Sequence, residues 1–545
     1  MKIIKSFICI SLVLMAITIS GCSSKTDNDN VEKLSQEIVN EETVNKNEYF
    51  SNQKSITEKL NAELEKKPTL ENPFTIVDPF EISPLTAIVI FTTEEPTQIS
   101  VVINGKDEYT IIKHTFSNFS KKHIVPIYGL YAGVNNKVDI IAKTKTGEES
   151  KKTIELQTDD LPEDISKVKV NVADKEKMKE GLTFFDCPHV NGNYMLAIDS
   201  NGDIRWYLSS KKLNGSVMLT HLKNGNMIVS SGETIPNTYN NLSTVFEISP
   251  LGECFAAYNV YGIHHDIREK SNGNLIMGAS KEGRDSQNDY IVEVDRKTGN
   301  IVDSWDLKEI LPMSEYVADQ PYTGGTSNWL HNNAIWYDEN NDDFVISGRH
   351  QNVVAKFNAK TKELKWVLSA TIGNKNKDFE QYLLKPVGDD FEYPTAQHAA
   401  MLLPDNRLML FDNTNFDILD EDGTVDQNKL YSRAVIYNID ENNKTIKQDW
   451  QYGKERGKEL YSSFVSDVDY LGENHYLIDF GGQYKDDNGT VYDHIYTDAK
   501  IKNASNKTTT LIEILNDKVI FEAILYGNSN SNSYKAERKD IYQGI

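Results

Sequence analysis

Cysteine is nearly absent from this chain. There are four in 545 residues, and two of them, Cys9 and Cys22, fall within the first twenty-two positions. No Cys-x-x-Cys pair occurs, which argues against a structural zinc site built on that spacing. Cys187 and Cys254 remain as a candidate disulfide, because sequence does not give the separation of their Cα atoms. Positive charge is also scarce: 58 Lys and Arg stand against 81 Asp and Glu, for a net charge of -23. A phosphate backbone selects a basic surface, so this balance argues against a nucleic-acid partner. Beyond residue 22 no segment approaches eighteen apolar residues, so none reads as a spanning helix.

The one long apolar run stands at the start. Lys2 and Lys5 precede a mostly apolar stretch from Phe7 to Ile19, and Ser20-Gly21-Cys22 comes next. The run has the length of a signal-peptide core, and its end resembles a bacterial lipobox. Residues 1–22 are therefore expected to be a lipoprotein signal peptide with acylation at Cys22. The protein would be exported, lipid-anchored to the cell membrane and facing outside the cytoplasm. Residues 23–72 are rich in Lys, Glu, Asn and Ser. They are expected to form a disordered polar tether, with some helix near Ile56–Leu64.

Sheet-forming residues dominate the chain beyond residue 72, including most of the 27 tyrosines. Across 73–160, short apolar runs such as Thr86–Thr92, Gln98–Ile103, Lys122–Ile127 and Lys137–Ala142 alternate with turn signals, Asn104-Gly105 among them. That pattern predicts a small β-sandwich. From 175 to 545 a looser repeat takes over. Turn signals at 191, 224, 272, 341, 405 and 472 each precede an apolar strand, at spacings of 33 to 69 residues. Six such units predict an all-β fold with six four-stranded blades closed into a β-propeller.

The histidines obey the same repeat. His265, His331 and His398 lie 7, 10 and 7 residues before the turns at 272, 341 and 405. Equivalent positions in successive blades face one end of the ring, so these side chains should converge, with His264 and Arg349-His350 beside them. Imidazoles gathered in this way suit metal binding, nucleophilic transfer of a phosphoryl or sulfuryl group, or a non-catalytic ligand channel. Transfer spreads negative charge over three oxygens and needs an Arg fork and amide donors, which Arg349 and Asn333 supply. Asp266, the one acidic neighbour, is expected to orient a ring.

Three segments resemble the bacterial arylsulfate sulfotransferases that use no nucleotide sulfate donor. They are Ile263-His-His-Asp-Ile267, Trp329-Leu-His-Asn-Asn-Ala334 with Ser347-Gly-Arg-His-Gln351, and Pro394-Thr-Ala-Gln-His-Ala-Ala-Met401 with Leu410-Phe-Asp-Asn413. The resemblance implies a nucleophile at His398, sulfated in a ping-pong reaction between an aryl sulfate donor and a phenolic acceptor. It implies that His265 or His264, His331, Asn333 and Arg349 bind the sulfuryl oxygens and assist the phenolic oxygen. It adds His350 and a serine of the last blade, Ser463 or Ser462, to the substrate-binding set. No metal or other cofactor is implied, and a homodimer is known among relatives. Some members carry a disulfide near the nucleophile, whereas no Cys occurs after Cys254 here. Trp329, Trp336, Phe391 and Tyr393 are candidates for stacking on an aryl ring.

Overall fold

The computed structural model describes residues 38–186, 194–209, 219–230, 241–316, 326–414, 426–485, 506–527 and 532–545, with isolated positions at 213, 235, 236, 238 and 491. The expected leader, Cys22, residues 23–37, Cys187 and the turn at Asn191 lie outside these residues. Cys254 is a buried free thiol.

The polar segment after residue 37 is folded, which corrects the extent of the expected tether. Helix α1 spans Glu41–Lys46 and helix α2 spans Gln53–Glu65. Ile56, Leu60 and Leu64 recur every four residues along α2 and form an apolar stripe. Leu60 and Leu64 are buried in the main core and Ile56 packs on it. Gln53 pins the start of α2 by exchanging two 2.9 Å hydrogen bonds with the backbone of Cys254. The helix falls where the sequence predicts it, near Ile56–Leu64, but it is packed on the core and not part of a disordered tether.

An antiparallel sheet built from residues 74–157 comes next. Two runs that read as separate strands join in one, Thr86–Ile103. Its first half pairs with Phe74–Val77 and Ser120–Tyr128, its second half with Ile112–Thr115 and Asn135–Thr144. The register breaks between Thr92 and Thr97, where Glu94 and Glu95 are exposed.

Six smaller sheets of four or five strands succeed it. Within them Leu275–Ala279, Tyr290–Val294 and Leu408–Asp412 are buried along their whole length, whereas four residues of the edge strand Ile301–Asp306 are exposed. Inner strands covered on both faces read as continuous apolar runs, which is why the repeat shows apolar blocks in place of alternation. The turns at 224, 272, 341, 405 and 472 each join two adjacent strands of a sheet. The two ends of the chain interlock: Ala536–Lys539 pairs with Leu182–Phe185 in the first sheet, and Lys167–Ala173 edges the last. The strand region thus starts ahead of the expected boundary at 175.

The 74–157 sheet is fixed to the first small sheet by Arg205, which is fully buried. Arg205 donates to the carbonyls of Gly129 and Thr110 at 2.8 Å each, and pairs with Asp199 at 3.1 Å.

If α2 is an integral part of the core, Leu60→Ala should lower unfolding stability by about 2–5 kcal/mol. Denaturant unfolding of the two proteins measures this, and a tether would show no change.

Candidate active site

The sheets place the histidines by repeating one position. His265 lies two residues before the strand Ile267–Glu269, His331 one residue before Asn332–Asp338, and His398 opens His398–Leu402. The position after the second strand repeats as well: Arg349 comes directly after Asp343–Gly348, and Asn413 directly after Leu408–Asp412. The entries into these strands are tightly turned. His265, His331, Ala396 and Ala399 have φ of 55°, 51°, 50° and 55°. This left-handed region costs a residue with a Cβ about 1–2 kcal/mol, so the surrounding packing must hold it.

The rings meet as the repeat requires. His265 Nε2 and His331 Nε2 lie 2.9 Å apart. The side-chain amide of Asn328 bonds His331 Nδ1 at 2.8 Å, so both ring nitrogens of His331 are engaged. The His350 ring lies 4.7 Å from that of His331, tilted by 32°, and its Nδ1 donates to the Asn328 carbonyl. His398 Nδ1 is 2.7 Å from Asn413 Oδ1. The two neighbouring histidines, inseparable by sequence, have different environments. His265 carries the contacts to the other rings, whereas His264 Nδ1 bonds the Gly262 carbonyl at 2.8 Å behind it.

Arg349 is buried with these rings, at 5% exposure. Burial first, and then the neighbouring imidazoles and Arg349, hold His265 and His331 well below the usual histidine range. Burial, then the Arg349 guanidinium, pushes His350 down to about 3. Burial pushes His264 down to about 4. These four rings are neutral at pH 7, and the fixed charge beside them is the guanidinium. Such a pocket attracts an anion. A guanidinium among imidazoles disfavours a cation, and among the described residues no group of three or more His, Cys, Asp and Glu side chains is arranged to hold a metal ion.

Several expected members are placed differently. Asp266 orients no ring; its carboxylate accepts from the Ile335 N–H at 2.9 Å and from Arg268 at 3.2 Å, tying two sheets together. Asn333 donates from its side-chain amide to the Gln397 carbonyl at 2.8 Å. The Ser462 hydroxyl accepts from the Gly482 N–H at 2.6 Å and bonds Ser466 at 2.8 Å, so it secures its own loop. Ser463 is buried beside it. Trp329 is fully buried, with its indole N–H on Asp289 at 2.9 Å. Phe391 and Tyr393 pack on each other and on the fifth-sheet core, and Trp336 lies against Arg268. None of these four aromatic rings contacts the histidines.

The aromatic residue that does is Tyr534. It stacks on His265 at 5.2 Å, meets His398 edge-on at 5.9 Å, and donates its hydroxyl to the Asn333 carbonyl at 2.8 Å. Tyr534 stands two residues before the strand Ala536–Lys539, the position that His265 holds before its own strand. The repeat would have found it had the C-terminal strand been counted in the first sheet. The Tyr534 backbone is held in turn by Asp186, which accepts from the Tyr534 and Lys535 N–H groups at 2.7 and 3.1 Å.

Residues 167–535 match the Arylsulfotransferase (ASST) family model, and residues 74–159 match the Arylsulfotransferase Ig-like domain. The arylsulfate sulfotransferase AssT of Lelliottia amnigena is 25% identical over 514 residues, covering 75% of this chain and 84% of that protein. The AssT of Escherichia coli O6:H1 is 26% identical over 511 residues, with the same coverage. Among solved structures, the periplasmic gluconolactonase PpgL of Pseudomonas aeruginosa shares 9% identity at a TM-score of 0.33, over 82% of this chain and 99% of its own. A score of that size bears on neither fold nor chemistry.

Burial pushes Asp186 up to about 7, against about 3.9 for an unfolded Asp. Its ionisation is thus delayed in the folded state, and stability from this group is lost as pH rises from about 4 through about 7. Thermal melting of wild type and Asp186→Asn across that range should show the variant gaining on wild type with pH. Parallel melting curves would contradict this.

Proposed function

This chain belongs to the arylsulfotransferase family and is an enzyme that transfers sulfuryl groups; from that premise we propose that it carries the group from an aryl sulfate to a phenol on His398. The observation that carries this reading is the placing of His398, buried and bonded through Nδ1 to Asn413 at 2.7 Å, edge-on to the same Tyr534 ring that stacks on His265. The attacking nitrogen forms an N–S bond as the bond from sulfur to the aryl oxygen breaks. Arg349, His331 and His265 receive the sulfuryl oxygens, with His350 and His264 behind them. The departing phenolate takes a proton from the His265–His331 pair, and an acceptor phenol later returns one to it while removing the group from His398. One acid–base pair serves both halves by microscopic reversibility. Tyr534 offers the ring face against which an aryl group packs. Asn333 and Ser463 line the same region in this reading, and no metal takes part.

The same reading makes the six small sheets the blades of a six-bladed β-propeller, behind a β-sandwich formed by the 74–157 sheet. Interlocked first and last sheets and inner strands covered on both faces support it. Export and acylation at Cys22 complete the proposal. Among the described residues no helix is long and apolar enough to cross a membrane.

Two experiments test this. Release of nitrophenol from 4-nitrophenyl sulfate should require an added phenol, persist with chelator, and fall to the uncatalysed level in His398→Asn. Release into water without acceptor would make the protein a sulfatase. Separately, Cys22→Ser should move the protein out of the membrane fraction, and unchanged fractionation would remove the lipid anchor from the account.

A further inference from the structure

The motif Leu410-Phe-Asp-Asn413 ends on a residue that bonds the His398 ring. Asn413 and His398 are both buried, at 0% and 2% exposure, and their side chains meet at 2.7 Å. An asparagine beside a histidine is ordinarily ambiguous, since its amide could turn either its oxygen or its nitrogen to the ring. Here the far side of the amide decides. Asn413 Nδ2 donates to the Ser462 carbonyl at 2.8 Å and to the Val465 carbonyl at 3.1 Å. Rotating the amide would set its oxygen against two carbonyl oxygens in a buried site, with nothing to donate. The amide nitrogen is therefore committed to the loop, and Oδ1 must face His398.

The loop is shaped for this. Val465 and Ser466 adopt φ of 50° and 84°, and the Ser466 hydroxyl bonds that of Ser462 at 2.8 Å. The strand behind Asn413 is held as firmly. Asp412 and Arg433 are both fully buried and paired at 2.9 Å, and Asp412 also accepts from the Thr395 N–H at 3.0 Å. Asn413 thus stands on a rigid base and offers His398 only an acceptor.

We infer that Asn413 is a positioning residue that fixes His398 in the tautomer with its proton on Nδ1 and its lone pair on Nε2. This rests on His398 being the nucleophile. As the N–S bond forms, positive charge develops on the ring, and the hydrogen bond from Nδ1 to the fixed carbonyl strengthens with it. An unpartnered imidazole would divide between two tautomers, one of which puts its lone pair on the wrong nitrogen.

The test uses the full-length protein. In ¹⁵N-histidine spectra of wild type, the signal missing from His398→Asn should show a protonated Nδ1 and an unprotonated Nε2. The reverse assignment overturns the inference without any Asn413 variant. In Asn413→Ala, shown to be folded by its melting curve, the pre-steady-state burst of nitrophenol from 4-nitrophenyl sulfate should slow about 10- to 100-fold, the worth of a hydrogen bond to a group gaining charge. The donor KM should stay within about twofold, because Asn413 reaches the substrate only through the ring. A folded Asn413→Ala with an unchanged burst overturns the inference too. A burst that survives in His398→Asn is a different failure: it removes the nucleophile itself and with it the proposed function.

Discussion

The chemistry of this site depends on keeping several imidazoles uncharged around one buried guanidinium. His265, His331 and His350 share their surroundings with Arg349, and all three are pushed below the ordinary histidine range by burial and by that cation. Were two or three of them charged as well, the pocket would repel itself. In the neutral state the rings keep lone pairs for proton transfer, while Arg349 supplies a charge of the sign that a sulfate ester seeks. An anion bound against Arg349 reverses the balance and raises the affinity of the nearby rings for a proton. In the proposed reaction this would couple donor binding to the arrival of a proton for the leaving phenolate through electrostatics.

The backbone supplies the geometry this constraint needs. Left-handed residues at the strand entries turn His265 and His331 toward each other, so that residues 66 positions apart in sequence become neighbours. The interlocking of the chain ends has a second consequence. The strand Ala536–Lys539 completes the first sheet and in doing so lays Tyr534 across the rings of His265 and His398. Asp186, at the end of the strand that pairs with it, then fastens that tyrosine through two backbone N–H groups. The pairing that completes the first sheet is thus also what brings Tyr534 to the histidines.

Much of this was legible in the sequence because it is periodic. His265, His331, His398 and Arg349 stand at repeated offsets from recognisable turns, and the structure brings the first two into contact and Arg349 beside them. What failed was aperiodic or local. Trp329, Trp336, Phe391 and Tyr393 are near the motifs in sequence, but three of them lie in irregular segments outside the strands, where no period fixes a direction, so adjacency said nothing about the pocket. The choice between His264 and His265 was hidden because both lie in the turn between the strands ending at Ile263 and starting at Ile267. Tyr534 lay beyond reach because its sheet is assembled from both ends of the chain. The helix near Ile56–Leu64 was legible, but its docking on the core was not, and Asp266 bonds a neighbouring sheet that no local pattern predicts.

The central claim is that the sulfuryl group passes through His398, and the most direct measurement is to catch it there. Enzyme mixed with excess aryl sulfate in the absence of any acceptor, quenched in base and digested, should yield the peptide containing His398 heavier by one SO₃, with the modification on that ring and lost on adding phenol. An unmodified His398 peptide, or the same mass on another residue, would contradict the account.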